Sequence, residues 1–186
     1  MPKISTYPTV TPADGDFILI SDANDSNNTK NVTVSSLRAG LSSYTEIYDN
    51  TPGNSTAIVV SGDFVKMVAD TIQGLTNDAS LTTNGAGRIT NTGPAKTFAI
   101  TYSVSAYTSS GNNQHIIFRL AKNNATISYS EADTVTTGGG GTKASSVSNT
   151  ALIQLLTNDY IEIWCTNNTS TNAVVLEHLN LVLRQI

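Results

Sequence analysis

The chain has 186 residues, a formal net charge of −4 and only 13% charged side chains, against about 25% in ordinary soluble domains. Its ten basic residues stand singly, at Lys3, Lys30, Arg38, Lys66, Arg88, Lys96, Arg119, Lys122, Lys143 and Arg184, so no basic stripe tracks a phosphate backbone and nucleic-acid binding is not expected. No apolar run approaches the roughly 18 residues that a membrane helix needs, and residues 1–10 lack the apolar centre of a secretory signal; the expectation is cytoplasmic synthesis without membrane insertion.

Residues 1–43 read as a small segment apart from the rest. The run Phe17-Ile18-Leu19-Ile20 and the alternating stretch 30–34 flank a polar turn at 22–29, which predicts a β-hairpin. Ser35 and Ser36 suit a helix start and Gly40 a helix stop, so 37–39 is expected to form a short helical turn. So few apolar groups cannot enclose a core. The segment should order by docking onto something else.

From residue 44 onward the pattern is a series of strands. They are predicted at 45–48, 57–60, 64–69, 88–91, 97–107, 115–122, 126–130, 145–156, 160–166 and 173–184, separated by Asn-, Gly- and Pro-rich turns. Short spacing without an amphipathic helix indicates an antiparallel β-sandwich or barrel. The clearest strand places Phe98, Ile100, Tyr102 and Val104 on one face and Ala99, Thr101, Ser103 and Ser105 on the other, a strict period of two with a small, hydroxyl-bearing outer side.

Two later strands look apolar on both faces. One has Tyr160 and Trp164 opposite Ile161, Ile163 and Cys165; the other runs through Val174, Val175, Leu176 and then Leu179–Leu183. Strands of this kind need cover on both sides, and further copies of the chain are the expected cover.

Catalytic and metal patterns fall short. His115 and His178 are the two histidines, and no sequence spacing ties either to Cys165, which reads as a buried structural thiol. Glu131 with Asp133, and Asp14 with Asp16, are carboxylate pairs beside turns and read as solvated edges rather than a glycosidase pair. The stretch from Asp22 has alternating oxygen ligands, but Asn27 and Thr33 stand where a calcium loop needs Gly and Glu. Gly138–Gly141 followed by Thr142-Lys143 inverts the phosphate-loop order. The chain therefore reads as non-enzymatic, with no catalytic residue, cofactor or metal site.

Residues 88–186 carry a resemblance. The run Phe98–Ala106, the segment from Ile116 to Asn124, the stretch from Ala151 through Asn158-Asp159 to Trp164, and Val174–Leu183 together resemble the jelly-roll heads of bacteriophage fibre and virion proteins. Those heads are similar to the tumour-necrosis-factor and complement globular-head superfamily. The opening, with Lys3-Ile4-Ser5-Thr6-Tyr7-Pro8, then Asp16-Phe17-Ile18-Leu19, then Asn31–Leu37, resembles one shared by many phage tail and head-decoration proteins.

The resemblance implies an all-β antiparallel jelly-roll head over 44–186 and a virion-attachment segment over 1–43. It also implies a homotrimer on the virion surface, held by a capsid, neck or tail protein. Attachment would use Ile4, Phe17, Leu19, Val32, Val34 and Leu37. The trimer interface would draw on Tyr160, Trp164, His178, Leu181 and Leu183. An alternative reading makes the head an adhesin that binds host-surface glycan through Tyr107, Tyr129 and its Asn/Ser-rich loops. A glycan hydrolase is a distant third, for want of an acid–base pair.

Overall fold

The computed structural model describes residues 13, 15–22, 28–34, 43–136 and 144–186. The chain divides into two compact units, Met1–Ser42 and Ser43–Ile186. In the first, β1 (Phe17–Asp22) pairs antiparallel with β2 (Asn28–Thr33), from Phe17 opposite Thr33 to Asp22 opposite Asn28. Its apolar side chains are largely uncovered: Phe17 is 67% exposed and Leu19 70%, whereas Val34 is buried. Val32 is half-buried. Ile4, Leu37, the expected helical turn and Gly138–Gly141 lie outside the described residues.

The second unit is built from strands that cross repeatedly between two antiparallel sheets. They are β3 (Tyr44–Asp49), β4 (Asn54–Thr56), β5 (Val65–Lys66), β6 (Ile72–Thr76), β7 (Leu81–Thr83), β8 (Arg88–Asn91), β9 (Lys96–Thr108), β10 (Gln114–Lys122), β11 (Ala125–Thr126), β12 (Ala132–Thr136), β13 (Ser145–Leu155), β14 (Tyr160–Asn167) and β15 (Val174–Gln185). One sheet runs β11-β10-β14-β8-β7, with β12 added on β10 and β5 on β14. The other runs β13-β9-β15-β3-β6, with β4 added on β15. The all-β antiparallel sandwich expected from the spacing is the fold observed.

The alternation in β9 explains its central place. Phe98, Ile100, Tyr102, Val104 and Ala106 are buried to within 1% and meet Phe118, Leu120, Ile161, Ile163, Leu181 and Leu183 in one core. The Tyr102 hydroxyl, deep in that core, donates to the carbonyls of Ser130 (2.8 Å) and Phe118 (3.2 Å), satisfying a group that would otherwise be costly to bury.

Several expected strands are shorter or displaced. Residues 57–60 are not a strand; the pairing is made by β4, and Val59 is 79% exposed. The expected 64–69 shrinks to the two residues of β5. The expected 126–130 ends after Thr126, and Ser128–Ser130 forms a 3-10 turn.

Both ends of this unit meet: Gln185 N–H donates to the Ser43 carbonyl (2.7 Å) and Ile186 N–H to that of Thr97 (3.1 Å). The turns at 92–95, 123–124 and 156–159 share that end of the sandwich, and the loops 50–53, 109–113 and 168–173 lie at the opposite one.

Candidate functional site

The outer face of the β13-β9-β15-β3 sheet is chemically unusual. β9 and β13 pair with Ser105 opposite Ser146, Ser103 opposite Ser148 and Thr101 opposite Thr150. All six side chains point away from the core, because their neighbours along each strand point in. The Thr101 and Thr150 hydroxyls share a hydrogen bond at 2.8 Å. Across the sheet, β15 contributes His178, Asn180 and Val182, and β3 contributes Glu46 and Tyr48. The Asn180 amide donates to the Glu46 carboxylate. A shallow hollow of about 510 Å³ is lined here by Tyr48, Ser103, Ser105, Ser146, His178 and Asn180, among others.

The expected interface residues are distributed over three places. Leu181 and Leu183 are fully buried in the core of their own chain, so they offer nothing to a neighbour. His178 is exposed on the hydroxyl-lined face. Tyr160 and Trp164 are half-buried on the outer side of the other sheet. These cannot form one contiguous surface.

The reason for Leu181 and Leu183 lies in a bulge. Pairing of β15 with β9 slips between Leu176 and His178, leaving Glu177 as the extra residue. An extra residue reverses which parity faces inward. Val174 and Leu176 point in before the slip, and Leu179, Leu181 and Leu183 point in after it. The apparent two-sidedness of this strand is thus largely one apolar face that changes phase.

On β14 the chain supplies the second cover itself. Glu162, between Tyr160 and Trp164, is completely buried. Its Oε1 accepts from Lys66 Nζ (2.7 Å) and Arg88 Nε (2.8 Å), and its Oε2 from Trp164 Nε1 (3.3 Å). Burial works against ionisation, but these donors outweigh it and hold the carboxyl below its ordinary range. The Arg88 guanidinium lies over the Tyr160 ring at 3.8 Å, and that of Arg119 over Phe64 at 4.4 Å.

The groups considered for chemistry are separated. His115 Nε2 contacts Asp133 Oδ2 at 2.8 Å on the outer side of the β10 sheet. Glu131 is held by Arg119, so Glu131 and Asp133 each have a different partner. Cys165 is buried in the core, and burial pushes its thiol up to about 12. His178 faces outward from the opposite sheet. Among the described residues no three His, Cys, Asp or Glu side chains gather into a metal site.

The two tyrosines expected to bind sugar also part. Tyr107 lies near the end of β9 beside the 109–113 loop, whereas Tyr129 sits in the 3-10 turn against β13. At the 109–113 end the amides of Gln114, Asn167 and Asn172 are spent on one another. Gln114 Oε1 accepts from Asn167 Nδ2 (3.1 Å), Asn172 Nδ2 (3.4 Å) and the Ser170 hydroxyl. Asn172 also bonds the Ser110 carbonyl at 3.0 Å.

Sequence reasoning saw the hydroxyl face of β9 but not its continuation in Ser146, Ser148 and Thr150; the register that aligns them is set by pairing across 40 or more positions.

No protein-family model matches the chain, and no curated protein matches its sequence. Solved structures do match in fold. Murine APRIL at pH 5.0 superposes with a TM-score of 0.53 and 10% identity, over 78% of this chain and 100% of that one. PRD1 vertex protein P5 gives 0.49 and 12%, over 79% and 99%. Together with the two antiparallel sheets, the superposition on APRIL shows that the chain shares the jelly-roll fold of that structure.

Proposed function

We propose that the protein is a non-enzymatic structural component of a bacteriophage particle, a homotrimeric fibre, spike or capsid-decoration protein held by its N-terminal unit and exposing its jelly-roll head. The observation that carries this reading is the contrast between the two units. The hairpin leaves Phe17, Ile18 and Leu19 exposed, and a lone two-stranded hairpin is marginal in water. It suits a socket on another protein. The head has its own core and needs no such partner. The resemblance of the opening residues to phage tail and head-decoration proteins supplies the identity of the socket's owner.

The trimer is supported by the face around Ser103. Its six central Ser and Thr side chains are short, so ordering them costs little entropy, and none is charged, so burying them strands no ion. His178, Asn180, Val182, Tyr48 and Glu46 continue that face, with Glu46 already accepting from the Asn180 amide. Light scattering after size exclusion should give three times the 19.6 kDa chain mass. Ser103→Glu should split the assembly into single chains with a cooperative melt. A single-chain mass for the unaltered protein at micromolar concentration rejects the trimer. Removal of residues 1–42 should leave the head folded and abolish incorporation into particles; incorporation without them rejects the attachment role.

A further inference from the structure

A second hollow, also of about 510 Å³, opens between the β10–β11 turn, the 3-10 turn and β13. Its size lies within the roughly 300–1,000 Å³ of small-ligand sites. Tyr129 stands in its wall, 67% exposed, with its hydroxyl donating to the Leu152 carbonyl at 3.4 Å. The contact is long for a hydroxyl, and it leaves ring surface open.

The support beneath Tyr129 is rigid. The neighbouring Ser130 is fully buried. Its hydroxyl donates to the Ile127 carbonyl (2.7 Å) and accepts from Leu120 N–H (2.9 Å), and its carbonyl accepts from the core Tyr102 hydroxyl (2.8 Å). A fixed aromatic platform loses little freedom when a ligand binds.

Of the uncharged polar side chains around the platform, Asn123 is engaged with Asp159 and the Tyr160 N–H, and the other three are unspent. Thr126, Ser128 and Gln154 line the hollow, and none of the three side chains makes a hydrogen bond to another described residue. Hydroxyls and amides both donate and accept, which matches a ligand rich in hydroxyl groups. By contrast the amides of Gln114, Asn167 and Asn172 at the other end of the sandwich bond one another. Lys122 brings the one charge to the lining, and it is neutralised: its Nζ binds Asp159 Oδ2 at 2.7 Å and the Gln154 carbonyl at 2.9 Å. An acidic ligand would find no free cation.

We propose that this hollow binds a neutral saccharide. A pyranose ring lays its C–H face on Tyr129 and exchanges hydrogen bonds with Thr126, Ser128 and Gln154. The site is made by one chain and does not depend on the trimer.

The test is affinity electrophoresis of the full-length protein through gels containing dextran, mannan, arabinogalactan or glycol chitin, with alginate as the acidic control. At least one neutral polymer should retard the protein, and alginate should not. Tyr129→Ala should weaken the retardation at least about tenfold, and Gln154→Ala should weaken it several-fold, both with unchanged melting temperature. Absence of retardation by all four neutral polymers overturns the proposal, as does stronger retardation by alginate or retention of full affinity in Tyr129→Ala. If Tyr129→Ala loses its melting transition, Gln154→Ala decides, and unchanged affinity in it overturns the proposal. Light scattering on the same samples separates failure of this site from failure of the assembly reading.

Discussion

Glu162→Gln is the most informative single perturbation of the head, because one buried carboxylate joins three strands. Lys66 comes from β5, Arg88 from β8, and both bond the same oxygen of a β14 residue. β5 has only two residues and few ladder bonds of its own, so this ion cluster is a large part of what fixes it. Hydrogen bonds to charged groups contribute about 1.5–3 kcal/mol each. The two cations are 35% and 32% exposed, so solvent recovers part of that loss. The amide keeps the volume and leaves two cations without their anion, giving an expected cost of about 3 kcal/mol at pH 7. For a domain of this size that is roughly 6–12 °C in melting temperature.

The pH dependence has a defined sign. The folded carboxyl lies below its ordinary value of 4.5, so its contribution is complete above that value and drains away as pH falls towards the folded value. The gap between Glu162→Gln and the unaltered protein should therefore narrow below about pH 4.5. Calorimetry from pH 7 to pH 3 reads both effects. A loss under about 1 kcal/mol, the scale of an exposed pair, would refute the reasoning, as would a gap that widens in acid.

Three further outcomes follow from single residues. Gly111 has φ +83°, and a Cβ there would lie 2.9 Å from both Asn172 Nδ2 and Gln114 Nε2; Gly111→Ala should cost about 1–2 kcal/mol and speed amide exchange in the 168–173 loop, measured by hydrogen-exchange mass spectrometry. Cys165 should resist a disulfide reagent at pH 8 and react only in denaturant, since its thiol is buried and raised to about 12; prompt labelling of the native protein would contradict this. The Thr166 hydroxyl is buried without a partner among the described residues, so Thr166→Val should leave stability unchanged or raise it by up to about 1 kcal/mol, read from denaturant unfolding.

How legible each part was depended on how local its cause is. β9 could be read directly, because its residues alternate without interruption from Thr97 to Thr108. β4, β6, β7 and β12 were missed. They are three to five residues long, carry mostly polar or exposed side chains, and exist because a neighbouring strand offers its edge. β15 misled for a different reason. A single unpaired residue, Glu177, converts one apolar face into a pattern that looks like two, and no periodicity analysis distinguishes a phase slip from a two-sided strand. Glu162 was invisible because its partners, Lys66 and Arg88, stand 96 and 74 positions away.

The original ground for self-association therefore falls away in part, and a different one takes its place. The two sheets share one core but have unlike outer surfaces. That of the β10–β14 sheet carries Lys66, Arg88, Arg119, His115 and their acidic partners. Covering it with another chain would desolvate several ions whose partners are already chosen, at a cost that new contacts would have to exceed. The β9–β13 pair has matched hydroxyls and no charge of its own; the carboxylate farther across that sheet, Glu46 of β3, already accepts from the Asn180 amide. Since the whole chain is already poor in charge, such a face gains little solubility from its own side chains, and short hydroxyls that can bond across an interface cost less to bury than ions. Of the two faces, the one around Ser103 and His178 is where a second copy would dock with the smaller penalty. The apolar surplus once assigned to Leu181 and Leu183 has no part in that argument.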